Sequence, residues 1–274
     1  MSQHQDRQAD RLVEEVARVC AVAQEPLTLL ERVAALVRRQ VPYRAAGWLV
    51  VDPDTLLMTA VYSEQVTQEQ HLALISCELL EDDVTKFFEL ATRDVPAASL
   101  SGATGGDLGR STRWRRVYQP AGYGDELRAV FRAGDATWGN ACLTRAADDP
   151  DFTDAEVWLL ARIGPHVGEG VRAGLLLQDA GERAPVDAPA LVVLRDDGSL
   201  ESATPQARAW LGPLDDERLG STMVLHEVAQ RARALACSPD GGPPARARTR
   251  SRGGDWLLVH GVRLDPDGHG PGGQ

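Results

Sequence analysis

An α+β fold, a mostly antiparallel sheet with helices on one side, follows from two features of this 274-residue sequence: the order of its hydrophobic periods and the position of its turns. Apolar residues recur at helical spacing near both ends of residues 1–180. Between them lie short apolar runs in pairs, separated by Asp, Gly and Pro. A polar stretch with two prolines, DAGERAPVDAP, then divides this part from a smaller unit of the same class.

From Ala9 to Ala23 the apolar positions are Leu12, Val13, Val16, Val19 and Ala23, and a second helical pattern runs Leu29, Leu30, Val33, Leu36, Val37. Pro26 stands where that second helix begins and Pro42 where it ends. The period then changes. AAGWLVV (45–51) reads as a buried strand, Asp52-Pro53-Asp54 as a turn, and Leu56 to Tyr62 as the hairpin partner. A polar helix is expected from Thr67 to Leu80, and Asp82 or Asp83 is placed to cap another that carries Val84, Phe87, Phe88 and Leu90. SLSGATGGDLGRS reads as a loop, a flexible lid over any pocket nearby. Two strands, Glu126 to Phe131 and Thr137 to Arg145, flank the turn-like Ala133-Gly134-Asp135. Thr153 and Glu156 stand in capping-box relation and open a long helix to about Gln178, with Val157, Leu160, Ile163, Val167, Val171 and Leu175 on one side and Pro165 kinking it.

The domain division is therefore 1–180, a linker at 181–189, a second module at 190–264 and a flexible tail at 265–274. In the second module ALVVLRDDGSLES reads as strand, Asp-Gly turn and strand. TPQARAWL is a short helix opening at Thr204 with Pro205 in first position, and Leu225 to Ala236 is another. ARARTRSR and DWLLVHGVRL form a last hairpin around Gly253-Gly254. The module is short of strands for its class.

Composition excludes several function classes. A net charge of −11 argues against a surface that coats nucleic acid, because that affinity comes from clustered Lys and Arg. No apolar run reaches the ~20 residues that span a bilayer, and MSQHQDRQADR lacks a signal-peptide core, so the expected location is the cytoplasm, with no membrane partner. Lys86 is the single lysine among 29 basic residues, a bias of GC-rich bacterial genes that devalues arginine-rich stretches such as Arg246, Arg248, Arg250 and Arg252 as a DNA-binding ribbon. That face is expected to be solvated or to meet acidic residues of another domain. Cys20, Cys77, Cys142 and Cys237 are far apart with no CxxC, and are read as reduced, inert thiols. The six histidines have no ligand spacing, and no GxSxG is present, so neither a metal, a cofactor nor a hydrolytic site is expected.

The segment YQPAGYGDELRAVFRAGDATWGNACLTR (118–145), followed by DFTDAEVWLLARIGPHVGEGVRAGLL, resembles the GAF-like domain of LuxR-family regulators from actinobacteria. Gly124-Asp125-Glu126-Leu127-Arg128 leads one strand, Trp138-Gly139 starts the next, and Phe152 with Glu156 opens the closing helix. Residues 188–264 resemble that family's second region, a PAS-like module, through VLRDDGSLESATPQARAWL and RTRSRGGDWLLVHGVRL. The resemblance implies a GAF-like antiparallel sheet flanked by helices, then an incomplete PAS-like module: the sensory region of a LuxR-type transcription regulator. A further strand and a helix-turn-helix would follow in the family. Nothing after Leu264 supplies either, so DNA is expected to be reached only through a missing C-terminal domain.

A GAF-like sheet commonly holds a small molecule between its face and the covering helices and loops. The candidate ligand-binding residues are Trp48, Tyr62, Phe88, Trp114, Tyr118, Phe131 and Trp138, with Arg115 or Arg128 for an anionic group. In a strand, Glu126 and Arg128 share one face and Leu127 and Ala129 the other, so one pair is expected in the core and one outside it. A homodimer through residues 9–23 and 153–178 is expected to carry the signal. The alternatives are a GAF-fold protein-interaction module with a filled core, or an enzyme using the same pocket, for which no organised set of titratable groups stands out.

Overall fold

The computed structural model describes residues 3–179, 189–212, 223–238 and 242–264; residues 181–188 of the expected 181–189 linker and the expected tail at 265–274 lie outside these described residues. The N-terminal helical pattern folds as α1, Gln3–Cys20, and α2, Pro26–Val37. Pro26 occupies the first turn of α2, where its missing N–H costs nothing, and Glu25 caps the helix by accepting from the Leu27 and Thr28 amides at 3.0 and 2.7 Å. The hairpin follows as β1, Ala45–Val51, and β2, Met58–Glu64. α3, Gln68–Leu80, opens on a capping box between Thr67 and Gln70.

Next come α4, Phe87–Leu90; β3, Ala97–Ser99; α5, Leu100–Thr104; and a π-helical turn at Trp114–Tyr118. The helix expected after Asp82-Asp83 shrinks to the four residues of α4, and neither aspartate caps it. Asp83 instead accepts from the Ser111 hydroxyl and the Arg113 amide at 3.0 and 2.8 Å, so its carboxylate is committed to a distant segment. β4, Tyr123–Ala133, and β5, Ala136–Ala146, exceed the predicted strands at both ends. α6, Asp154–Asp179, begins at the Thr153–Glu156 capping box and continues through Pro165.

These strands form one antiparallel sheet in the order β2-β1-β5-β4-β3. On one face α1, α2 and α6 bury Trp48, Leu127, Phe131 and Leu143 together with Leu160, Ile163, Val167 and Val171 of α6. Trp48 and Phe131 stack there at 5.9 Å. The opposite face is covered as well, by α3, α4 and the π-helical turn, whereas the sequence pattern placed helices on one side only.

The smaller module contributes β6, Val192–Leu194, paired with β7, Leu200–Ala203, and then α7, Pro205–Leu211, capped by Thr204. α8, Met223–Cys237, precedes β8, Arg246–Arg250, and β9, Trp256–His260, which pair with each other. The two hairpins are separate two-stranded sheets. α8 packs on α3 and β2, and β8 on β2, so this module lies against the β2 edge of the large sheet beside α3.

Candidate functional site

Strand alternation divides the large sheet into a dry face against α1, α2 and α6 and a second face that carries a cavity of about 380 Å³. Gly47 and Leu49 of β1, Arg128 of β4, and Asn140, Cys142 and Thr144 of β5 form its floor. α3, α4 and the π-helical turn roof it with His71, Leu74, Glu78, Phe87, Phe88 and Tyr118. Gly47 keeps the floor open: a β-carbon there would meet Cys142 Sγ at 3.2 Å and the His71 ring at 3.9 Å.

Beside the cavity runs a buried chain of alternating charges. Arg113 donates Nε to Glu126 at 2.6 Å and places Nη1 3.2 Å from Asp83; Arg128 donates Nε to Glu126 at 2.9 Å and Nη1 to Glu78 at 2.6 Å. Tyr118 adds a hydroxyl to Glu126 at 2.6 Å. Burial alone would raise the Glu126 pKa, but the two guanidinium groups outweigh it and hold the carboxyl at about 2. Burial, reinforced by Glu126, pushes Tyr118 well above the usual phenol range. Thr85 holds a left-handed backbone (φ 55°), unusual for a β-branched residue, while its hydroxyl accepts from Arg113 at 2.7 Å.

Both faces of the 126–129 strand are therefore in the interior. Leu127 and Ala129 meet the helices, and Glu126 and Arg128 are just as buried, which corrects the expectation that one pair would lie outside. The reason is Arg113, which arrives from a distant loop with the opposite charge and lets the carboxylate leave water.

Other polar groups in the lining have no such partner. Asn140 is 1 % exposed and Thr55 3 % exposed, and Asn140 Oδ1 and Thr55 Oγ1 make no hydrogen bond, although both residues line the cavity. Buried polar atoms are rarely left this way. Glu227 of α8 reaches the lining from the smaller module; burial, with Glu78 adding to it, pushes its carboxyl up to about 8. Burial drops His71 to about 4, leaving a neutral ring whose Nε2 lies 2.7 Å from Ser63 Oγ.

Of the nine residues singled out from sequence, Phe88, Tyr118 and Arg128 line the cavity. Arg128 is engaged by two carboxylates, and its guanidinium sits 4.5 Å over the Phe87 ring. Trp48, Tyr62, Phe131 and Trp138 pack against the helical core on the other face; Trp138 arrives there through the irregular register between Phe131–Gly139 and Arg132–Thr137. Trp114 is half-buried, its indole N–H donating to the Gly124 carbonyl at 3.1 Å. Arg115 is exposed, donating to Thr112 and to the Gly109 carbonyl. The stretch 99–111, expected as a loop and lid, is the last residue of β3, then α5 and a 3-10 turn, none of which lines the cavity, with α5 packing on β3 and β4.

Sequence reasoning missed Asn140, Thr55, Glu78, His71 and Glu227. Asn140 had a legible signal, an amide in the middle of an otherwise buried strand. Among the described residues no cluster of three or more His, Cys, Asp or Glu side chains is arranged to hold a metal ion, and no helix is long and apolar enough to cross a membrane. Arg248, in the arginine stretch, meets Asp52 and Asp54.

No family model matches the chain, and no curated protein matches it. Solved structures similar to it include the GAF domain of a phosphoenolpyruvate-protein phosphotransferase from Coxiella burnetii, at 9 % identity and TM-score 0.45 over 63 % of this chain and 98 % of that one. The GAF domain of the Acinetobacter phosphoenolpyruvate-protein phosphotransferase is similar at 13 % identity and TM-score 0.41, over 66 % of this chain and 99 % of that one. An IclR homolog from Microbacterium sp. strain HM58-2 is similar at 14 % identity and TM-score 0.25, over 61 % of this chain and 68 % of that one.

Proposed function

We propose that this chain is the sensory region of a LuxR-type transcription regulator, in which a GAF-like domain receives a small molecule and DNA contacts come from a helix-turn-helix elsewhere in the regulator. The observation that carries the reading is the cavity of about 380 Å³ between the sheet and its covering helices, a size within the range of small-molecule sites. The resemblance of residues 118–145 and 188–264 supports the regulatory part.

In this reading the protein is a homodimer through α1 and α6. Val167 and Val171 of α6 are taken up by the chain's own core, so the contact surface must be the outer face, where Trp158, Leu176 and Leu177 are exposed. Native mass spectrometry of the gently purified chain tests both parts. The expected result is a dimer with a retained small molecule; a bare monomer at high concentration overturns the reading.

A further inference from the structure

The wall of the cavity is not confined to the sheet and its own helices. α8 brings Glu227 and Arg231 to the lining, and Gly242 and Pro243 close the same side. Apolar and charged contacts together hold this module in place. Val224, Val228, Ala245 and Ala247 pack with Leu57. Met223 joins Met58, Val61 and Ile75. At the β1–β2 turn, Arg248 donates Nε to Asp52 at 2.9 Å and Nη2 to Asp54 at 2.9 Å.

We propose that the cavity is a composite site for an uncharged, mainly apolar molecule, and that its binding clamps α8 onto the sheet, so that the smaller module reads occupancy. The proposal rests on the ligand-sensing reading above and adds the chemical class of the ligand and the element that responds to it.

The charge class follows from what the lining offers. Glu78 and Arg128 neutralise each other at 2.6 Å, and the remaining reach of Arg128 goes to Glu126. Arg231 is turned to the neighbouring loop, Nε donating to the Pro243 carbonyl at 2.8 Å. Glu227, with its pKa at about 8, is mostly an uncharged acid at neutral pH. A charged ligand would leave water for apolar walls whose charges are already engaged. Size follows by comparison: an apolar cavity of ~150 Å³ accepts benzene, so about 380 Å³ has room for roughly two ring systems.

The transducing role follows from position. α8 touches the occupant's space through Glu227 and Arg231 and is otherwise held by the apolar contacts of Met223, Val224 and Val228. An occupant bridging floor and α8 therefore favours the docked state over any undocked one, which is the differential affinity a switch requires.

N-phenyl-1-naphthylamine is a suitable probe, uncharged, with two aromatic groups and one N–H. 8-Anilinonaphthalene-1-sulfonate shares its skeleton and adds an anion. With the full chain, the amine is expected to bind at one equivalent and at least tenfold more tightly than the sulfonate. Leu74→Trp, or Leu49→Phe should the first variant fail to fold, is expected to abolish binding by filling the cavity. Bound amine should slow amide exchange in α8, and Arg248→Ala, away from the lining, should weaken the amine several-fold. Blocked binding in the cavity variant with unchanged α8 exchange and no effect of Arg248→Ala overturns the composite site and leaves the sensor reading standing. Equal or tighter binding of the sulfonate overturns the charge class. Failure of both probes to bind overturns the sensor reading and the proposal together.

Discussion

Arg113 and Glu126, thirteen residues apart, meet at 2.6 Å with both side chains almost wholly out of water. Their pairing fixes the loop after β3 to the middle of β4 and so sets the edge of the cavity. Glu126 receives three donors, from Arg113, Arg128 and Tyr118. Removing the carboxylate leaves two buried guanidinium groups short of a partner, and breaking a buried pair from one side costs about 3–5 kcal/mol. Glu126→Ala is expected to lower stability by that amount in urea denaturation, and Glu126→Gln by nearly as much, because it keeps the shape and loses the charge. The acid limit follows from the same group. Its folded pKa lies below the unfolded value, so its stabilisation is complete above about 4.5 and is lost as pH falls towards about 2.

Two other groups give opposite slopes nearer neutrality. Glu227 is raised from 4.5 to about 8, so the folded state keeps a proton the unfolded chain has released, and stability falls as pH rises through that window. His71 is lowered from 6.5 to about 4, so the unfolded chain takes up the proton first and stability falls as pH drops through that window. Glu227→Gln is expected to be more favourable relative to the parent at pH 8 than at pH 5, by on the order of 3 kcal/mol at most. His71→Gln should flatten the acid side. Urea midpoints of the parent and both variants at pH 5, 6.5 and 8 measure these slopes, and parallel curves would refute the assignment.

The long helices, the β4–β5 pair and the 204–211 helix were legible because each combines a sustained period with a cap, as at Thr153–Glu156 and Thr204–Pro205. β3 was missed because three residues are too few to show a period. The site was less legible than the fold. Strand parity gives the shared face of Glu126 and Arg128 but not the direction in which that face looks, which depends on Arg113 and Asp83 arriving from elsewhere. Aromatic residues are candidate ligand contacts by type, yet Trp48 and Phe131 serve as core because their strand phase points them at the helices of the other face. Glu227 carried no local signal, since its role depends on where the whole module docks.

The thiols should report that burial directly. Burial pushes Cys20 up to about 12 and Cys142 up to about 11, with Arg32 opposing it at the first and Glu126 reinforcing it at the second. Cys77 is also raised, mainly by burial, while Cys237 is exposed. Since the thiolate is the reactive form, an aromatic disulfide reagent at pH 8 is expected to titrate one thiol quickly in the native chain and all four in denaturant. Cys237→Ser should remove the fast phase.

Gly168 tests how closely α6 must approach the sheet. In an ordinary helix interior Gly→Ala gains about 1 kcal/mol. Here a β-carbon would fall 2.6 Å from the Arg132 carbonyl oxygen and 2.7 Å from its carbonyl carbon, both of them backbone of β4 that cannot swing aside. The sign should therefore reverse, and Gly168→Ala is expected to destabilise by about 1–3 kcal/mol as an overpacked contact. The helix has one way to relieve it, by lifting off β4 near Phe131. That movement would loosen the Trp48–Phe131 stack on the dry face, so the near-ultraviolet circular dichroism of the tryptophans should weaken along with the denaturation midpoint. A variant that melts like the parent with an unchanged tryptophan signal would mean that α6 sits farther from β4 than the 2.6 Å contact requires.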